Sequence, residues 1–263
     1  RRRMALPSIL LLLSFVGGLV SSVAFLLIYG IGPDRFEDNS ALIGTVLAAA
    51  AAAGAAGAWL HWRRFRVPIT VAAGAASVAG IAVALLIAAL GRDPEEIQNL
   101  ILGFVLLLGV GTFLFAMWWD SSDRARLTRR SDVAFWLHLL AAPMIVHPVF
   151  TLMGLNDGNA TVGEGLVVVA LYIAIGFTAL AIDRRALLVS ALAYVLFALN
   201  RLFEKFGAVE LNVALTALII GSALLMLSAF WHQARTSVVK TLPTGLRERL
   251  PLVDRAAAVQ SAA

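Results

Sequence analysis

Apolar residues run along this chain in eight long blocks, each parted from the next by a short cluster of charged residues, Gly or Pro. The blocks extend approximately over Ala5–Tyr29, Ala41–Trp62, Pro68–Leu90, Ile97–Trp119, Val133–Gly154, Gly165–Ile182, Ala186–Phe203 and Leu211–Trp231. An α-helix needs about 20 apolar residues to cross a hydrocarbon core of about 30 Å, and each block approaches that length. A membrane β-strand would alternate over about ten residues, whereas these blocks are continuously apolar. The pattern therefore predicts an all-α fold, a polytopic transmembrane bundle of eight helices.

The charges add an orientation. Seventeen of the 21 Lys and Arg residues fall on one side of the expected bilayer. They are Arg1 to Arg3, Arg63, Arg64, Arg66, Arg124, Arg126, Arg129, Arg130, Arg184, Arg185, Arg235, Lys240, Arg247, Arg249 and Arg255. The opposite loops hold Arg35, Arg92, Arg201 and Lys205 among acids such as Asp34, Glu37, Asp93, Glu95 and Glu164. The positive-inside rule makes the basic face cytoplasmic, which gives an N-in, C-in topology. The formal net charge of +5 then has a topological cause. A basic face meeting anionic head groups accounts for it, so the expected partner is the lipid bilayer and no nucleic acid is called for.

Composition agrees with that class: 60% of residues are hydrophobic and 14% charged, and the mean hydropathy is +0.88. Soluble domains carry roughly 25% charged residues. The absence of cysteine removes disulfides, thiolate metal sites and cysteine nucleophiles from consideration. The first block has the basic flank of a signal peptide but is too long for an h-region and lacks a clean cleavage site, so it is expected to stay as a helix. The chain opens on three arginines with its first Met at Met4, and further upstream sequence is expected.

A four-plus-four organisation is legible in the spacing. Gly109 to Trp119 aligns with Gly221 to Trp231, and the second and sixth blocks both open near a glycine and close on a double arginine, Arg63-Arg64 and Arg184-Arg185. Both halves start inside, so a duplication here is parallel, about an axis along the membrane normal. The expected organisation is a first half over residues 1–120, a basic cytoplasmic loop over 121–131, a second half over 132–232 and a cytoplasmic tail over 233–263. In the tail Leu242, Leu246 and Leu250 are four apart with arginines between, the pattern of a short amphipathic turn; the closing residues read as disordered. Blocks two and three are rich in Ala and Gly, including Gly54, Gly57, Ala72, Ala76 and Gly80, which lets helix backbones approach closely.

Chemistry has few places to sit. The fifth block carries His138, Pro143, His147, Pro148 and Thr151. Each proline removes a backbone donor and frees a carbonyl that a neighbour, water or ligand must satisfy. His138 and His147 are nine residues apart, hence on opposite faces and about 13 Å apart along the axis, so they cannot share one metal. His61, His138 and His232 all lie toward cytoplasmic helix ends, where convergence would allow a metal or haem, against the plainer reading of interfacial hydrogen bonding. Asp132 and Asp183 lie beside arginines at such ends, where interfacial salt bridges or helix starts explain them. Asn200 and Arg201 stand at the end of the seventh block as an outer anchor, gate or docking patch. Trp59, Trp62, Trp118, Trp119 and Trp231 read as an aromatic belt. No zincin, nucleophile-elbow or Walker motif is present, which leans against an enzyme. No catalytic residue, metal site or cofactor is assigned from the sequence.

The run from Phe135 to Pro148, with the opening Arg1 to Ser8, resembles multi-pass bacterial inner-membrane proteins of a family without an assigned activity. That resemblance implies an inner-membrane location and a longer parent protein. The leading functional expectation is a small permease or channel-like protein with a path near the proline-broken fifth helix, marked by a polar cavity at His147, Thr151, Tyr172 or Tyr194. The alternative is a non-transporting assembly or sensor subunit that docks a membrane-protein partner or a second copy of itself. A haem- or metal-binding protein stands third.

Overall fold

A computed structural model describes residues 5–154, 162–185, 187–188, 192, 218, 221–223 and 225–253. Among these residues every regular element is helical. The helices are α1 (Ala5–Ile31), α2 (Ser40–Phe65), α3 (Ile69–Leu90), α4 (Gln98–Ser121), α5 (Arg129–Leu152), α6 (Val162–Ile182), α7 (Trp231–Thr241) and the single turn α8 (Thr244–Arg247), with a 3-10 turn at Pro33–Phe36. α1 to α5 are long and apolar enough to cross a membrane, and Val169–Ile182 within α6 is a shorter apolar stretch. The chain is thus a helical membrane protein with at least five candidate spans. Most of the seventh block and part of the eighth, with Tyr194, Asn200 and Arg201, lie outside the described residues.

The chain forms two compact units, residues 1–113 and 114–263. In the first, α2 lies against α3 and α1. Glycine makes this possible at Gly44, where an added Cβ would stand 2.5 Å from the backbone N of Ala88 and 2.6 Å from the carbonyl of Ala84. Gly54 and Gly57 likewise admit Val20 and Leu19 of α1. The Ala- and Gly-rich blocks therefore pack through their small faces, as their composition leads one to expect. α2 stops at Arg66, whose left-handed backbone (φ 51°) returns its N–H to Trp62.

In the second unit, α5 supplies the core: Val133, Ala134, Leu137, His138, Ala141, Ala142, Val146 and Phe150 are buried along one stripe. The helix starts at Thr128, whose hydroxyl accepts from the N–H of Arg130 at 3.2 Å. It runs through both prolines, Pro148 buried and Pro143 exposed. With those N–H groups missing, the carbonyls of Leu139 and Met144 lose their normal partners.

The described part of the eighth block ends in a turn at Phe230, and Trp231 opens α7, which continues to Thr241. Beyond it the chain turns at Pro243, and Leu250 and Pro251 are buried.

Candidate functional site: a buried charge cluster

The site begins with Asp120, the penultimate residue of α4. Its side chain is fully buried. A lone carboxylate there would be prohibitive, and three groups from three other segments compensate it. Arg184 donates from Nε to Oδ2 at 3.1 Å and from Nη2 to Oδ1. His138, also fully buried, places Nε2 3.1 Å from Oδ2. Because a carboxylate only accepts, Nε2 carries the hydrogen of this contact. Arg126 brings its Nε to 4.0 Å from Oδ1.

Local backbone chemistry aims each of these groups. The turn after α4 is held by Asp123, whose carboxylate accepts from the N–H of Leu127 (3.1 Å), the N–H of Thr128 (2.9 Å) and the Thr128 hydroxyl (2.7 Å). Burial pushes this carboxyl up, but the three donors outweigh it and hold the group below the usual carboxylate range. The turn ends with Arg126 in the left-handed region (φ 55°). On the other side, α6 ends with Asp183, also left-handed (φ 58°), and the N–H of Arg184 returns to the carbonyl of Ala179 at 2.9 Å. That helix-terminating motif normally favours Gly or Asn, and Asp tolerates it. It carries Arg184 past the helix end and under α5, where Nη2 also donates to the carbonyl of Ser131 at 3.0 Å.

A second pair extends the cluster. Arg126 Nη1 binds Asp183 Oδ2 at 2.8 Å, while its Nη2 donates to the carbonyls of Ile182 (3.0 Å) and Asp183 (3.3 Å). The indole N–H of Trp231 donates to Asp183 Oδ1 at 2.7 Å. Arg235, 2% exposed, has Nε 3.9 Å from that same oxygen and donates to the carbonyls of Pro251 (2.6 Å) and Leu252 (3.2 Å). Arg124 holds the same returning segment at Leu250 (2.9 Å) and Arg247 (3.2 Å). Five stretches of chain, from α4, the following turn, α5, the end of α6, and α7 with its tail, are thereby joined by side chains.

Of the sequence candidates, His138 is the one this cluster takes in. Pro143 and His147 are exposed, Pro148 is buried and Thr151 half-buried on the same helix. His61 contacts the Thr70 hydroxyl at 3.2 Å, and His232 is exposed. Among the described residues no three His, Asp or Glu side chains gather as metal ligands. The interfacial reading of Asp183 fits its pairing with Arg126, and Asp132 stands exposed in the first turn of α5. The belt reading of Trp231 is corrected: its ring is buried under Arg185, whose guanidinium carbon lies 4.7 Å from the ring centroid. The double arginines also differ in use. Arg63 and Arg64 are exposed at the end of α2, whereas Arg184 is buried.

Asp120, Arg126 and Arg184 have no motif that singles them out in the sequence. One signal was available: Asp120 directly follows an apolar span and precedes a basic loop, so burial of the helix end would force an arginine onto it. No protein-family model, curated protein or solved structure shows significant similarity to this chain.

Proposed function

We propose that the chain is an eight-helix bacterial inner-membrane protein with both termini cytoplasmic, built as two parallel four-helix halves, and that it acts as a small permease. In this reading the Asp120 cluster is its inner gate. One observation carries the proposal: the inner ends of α4, α5 and α6 and the final helix are joined by breakable ion pairs, and one member, His138, lies on α5, the helix that carries Pro143 and Pro148. Buried ion pairs are poor devices for stability alone, since apolar residues of similar volume often do as well or better. They suit a contact that must form and part between two arrangements. The Tyr172 hydroxyl on α6 adds support: its oxygen is buried and makes no hydrogen bond among the described residues, so a polar group stands open within the apolar span.

The absence of cysteine gives a test that requires no knowledge of the substrate. Ala141→Cys places a thiol at a fully buried position one turn beyond His138. In inside-out vesicles a small membrane-impermeant thiosulfonate should react slowly with this variant and much faster once Asp120→Asn or Arg126→Gln is added. A thiol that stays protected in both variants, with normal expression and helicity, would instead support a static clamp in a non-transporting subunit.

A further inference from the structure

We propose that His138 and Asp120 form a proton-binding site and that protonation loosens the gate, making the proton the ligand coupled to opening. The inference rests on the gate reading above and adds what drives it. Among the described residues, the charged groups set against His138 include Asp120 from α4, Arg126 from the following turn and Arg184 from the end of α6. Asp183 is shared by Arg126 and Arg235, Asp123 is bound by the donors of its own turn, and Arg124 and Arg185 stand at the edge, on backbone carbonyls and on the Trp231 ring. Three guanidinium groups, of Arg126, Arg184 and Arg235, therefore face the two carboxylates of Asp120 and Asp183, so the cluster has no spare negative charge to balance a cationic imidazole. Imidazole is the side chain whose ordinary titration falls between pH 5 and 8.

A proton arriving from the cytoplasmic side is taken by Nδ1, because Nε2 already carries the hydrogen directed at Asp120. The ring is then a cation on Oδ2, the oxygen that Arg184 Nε also occupies. The cluster then gains a further positive charge in a region of low dielectric, where an uncompensated charge is costly. The remedy that moves fewest atoms is to release a cation. Arg126 is the one placed to leave: its side chain is 11% exposed and sits 4.0 Å from Asp120, outside the Arg184 pair. Its departure breaks the Asp183 bond and unties the turn after α4 from the end of α6. Loss of the proton removes that charge and the gate re-forms.

The experiment follows the Ala141→Cys reaction rate between pH 8 and 5.5, divided at each pH by that of Ser122→Cys on the exposed turn to remove the thiol's own ionisation. The ratio should rise as pH falls, by up to about tenfold per unit until the site saturates, as a one-proton equilibrium requires. His138→Gln, which keeps a donor to Asp120, should remove the pH dependence. Selective histidine NMR should show one imidazole signal, absent in His138→Gln, titrating with the same midpoint as the reaction ratio. A flat ratio in a protein that Asp120→Asn does open overturns the proton site and leaves the gate standing. Protection in Asp120→Asn and Arg126→Gln at every pH overturns the gate itself.

Discussion

The indole N–H of Trp231 donates to Asp183 Oδ1 at 2.7 Å, although the two residues are 48 positions apart and open and close different helices. Asp183 is thereby held between Trp231 and Arg126. Trp231→Phe keeps an aromatic ring under Arg185 but deletes the donor to a carboxylate. A hydrogen bond to a charged group contributes about 1.5–3 kcal/mol, and the thermal unfolding midpoint of the detergent-purified protein should fall accordingly. Trp231→Leu should cost a further 0.5–2 kcal/mol, roughly, from the lost cation–π contact. Equal midpoints for wild type and Trp231→Phe would mean that Asp183 finds another donor.

Asp120 and Arg184 should behave as a unit. Removing one partner of a buried pair leaves the other charge uncompensated, at about 3–5 kcal/mol, so Asp120→Leu and Arg184→Met should each be strongly destabilising. The double variant should cost far less than the sum of the two, because no bare charge remains. A double-mutant cycle on chemical denaturation measures the coupling. Additive costs would show that Asp120 is compensated mainly by His138 and Arg126.

The membrane class and the boundaries of α1 to α6 were legible because hydrophobic block length, helix-breaking residues and the alternation of basic loops are local signals. The predicted close packing of the Ala- and Gly-rich helices was likewise readable from composition. The cluster was not. Asp120, Arg126 and Arg184 are spread over 64 positions, and their charges look like ordinary helix-end charges until the fold brings those ends together. Trp231 was misread for a related reason: an apolar block ending in Trp resembles an interfacial anchor, and only the partner at Asp183 shows that this ring points inward. His138 was found because a histidine between apolar residues on a buried helix face stands out by itself; the carboxylate it meets could not be named.

Acid should weaken the turn between α4 and α5 before it affects the helices. Asp123 is held below its ordinary value, 3.8, because its donors outweigh its burial. Its proton affinity is lower folded than unfolded, so its stabilisation is complete above the unfolded value and is lost as pH falls through the lower folded one. Hydrogen exchange at the amides of Leu127 and Thr128 should therefore accelerate below about pH 4, referenced to intrinsic exchange at each pH. Asp123→Ala should give the same acceleration at pH 7. Protection that persists in Asp123→Ala would remove the carboxylate from this role.

Two glycines of the first unit should respond oppositely to the same substitution. At Gly44 a Cβ meets the backbone of α3 at 2.5–2.8 Å, and backbone cannot step aside as a side chain can. Gly44→Ala should cost about 1–3 kcal/mol, the range for overpacking. At Gly74 the nearest atom is the Ala58 Cβ at 3.6 Å, an ordinary contact. Gly74→Ala should be neutral or stabilising by up to about 1 kcal/mol, since Ala loses less backbone freedom than Gly. Thermal midpoints of both variants decide it. A tolerated Gly44→Ala would mean that α2 and α3 separate more easily than their packing implies.

The segment after α7 should be held by two arginines and released by losing either. Arg235 and Arg124 together donate to four backbone carbonyls of residues 247–252, and the N–H of Leu252 returns to Arg124 at 3.3 Å. These bonds leave the side chains of Arg247 and Arg249 exposed while burying Leu250 and Pro251. Trypsin can recognise Arg249, but it must draw the following residue out of its seat to cut. Cleavage therefore reports the opening free energy, and every 1.4 kcal/mol lost raises the rate about tenfold. Arg235→Met should give the larger increase, because its guanidinium is 2% exposed and also stands 3.9 Å from Asp183, so both the tail and the cluster lose a partner. Arg124→Gln should loosen the tail alone. In inside-out vesicles, accelerated cleavage in both variants, with faster reaction at Ala141→Cys only when Arg235→Met is added, would show that the tail is fastened to the charge cluster through Arg235. Unchanged cleavage in both would mean that Leu250 and Pro251 are kept in place by their apolar contacts, without the arginines.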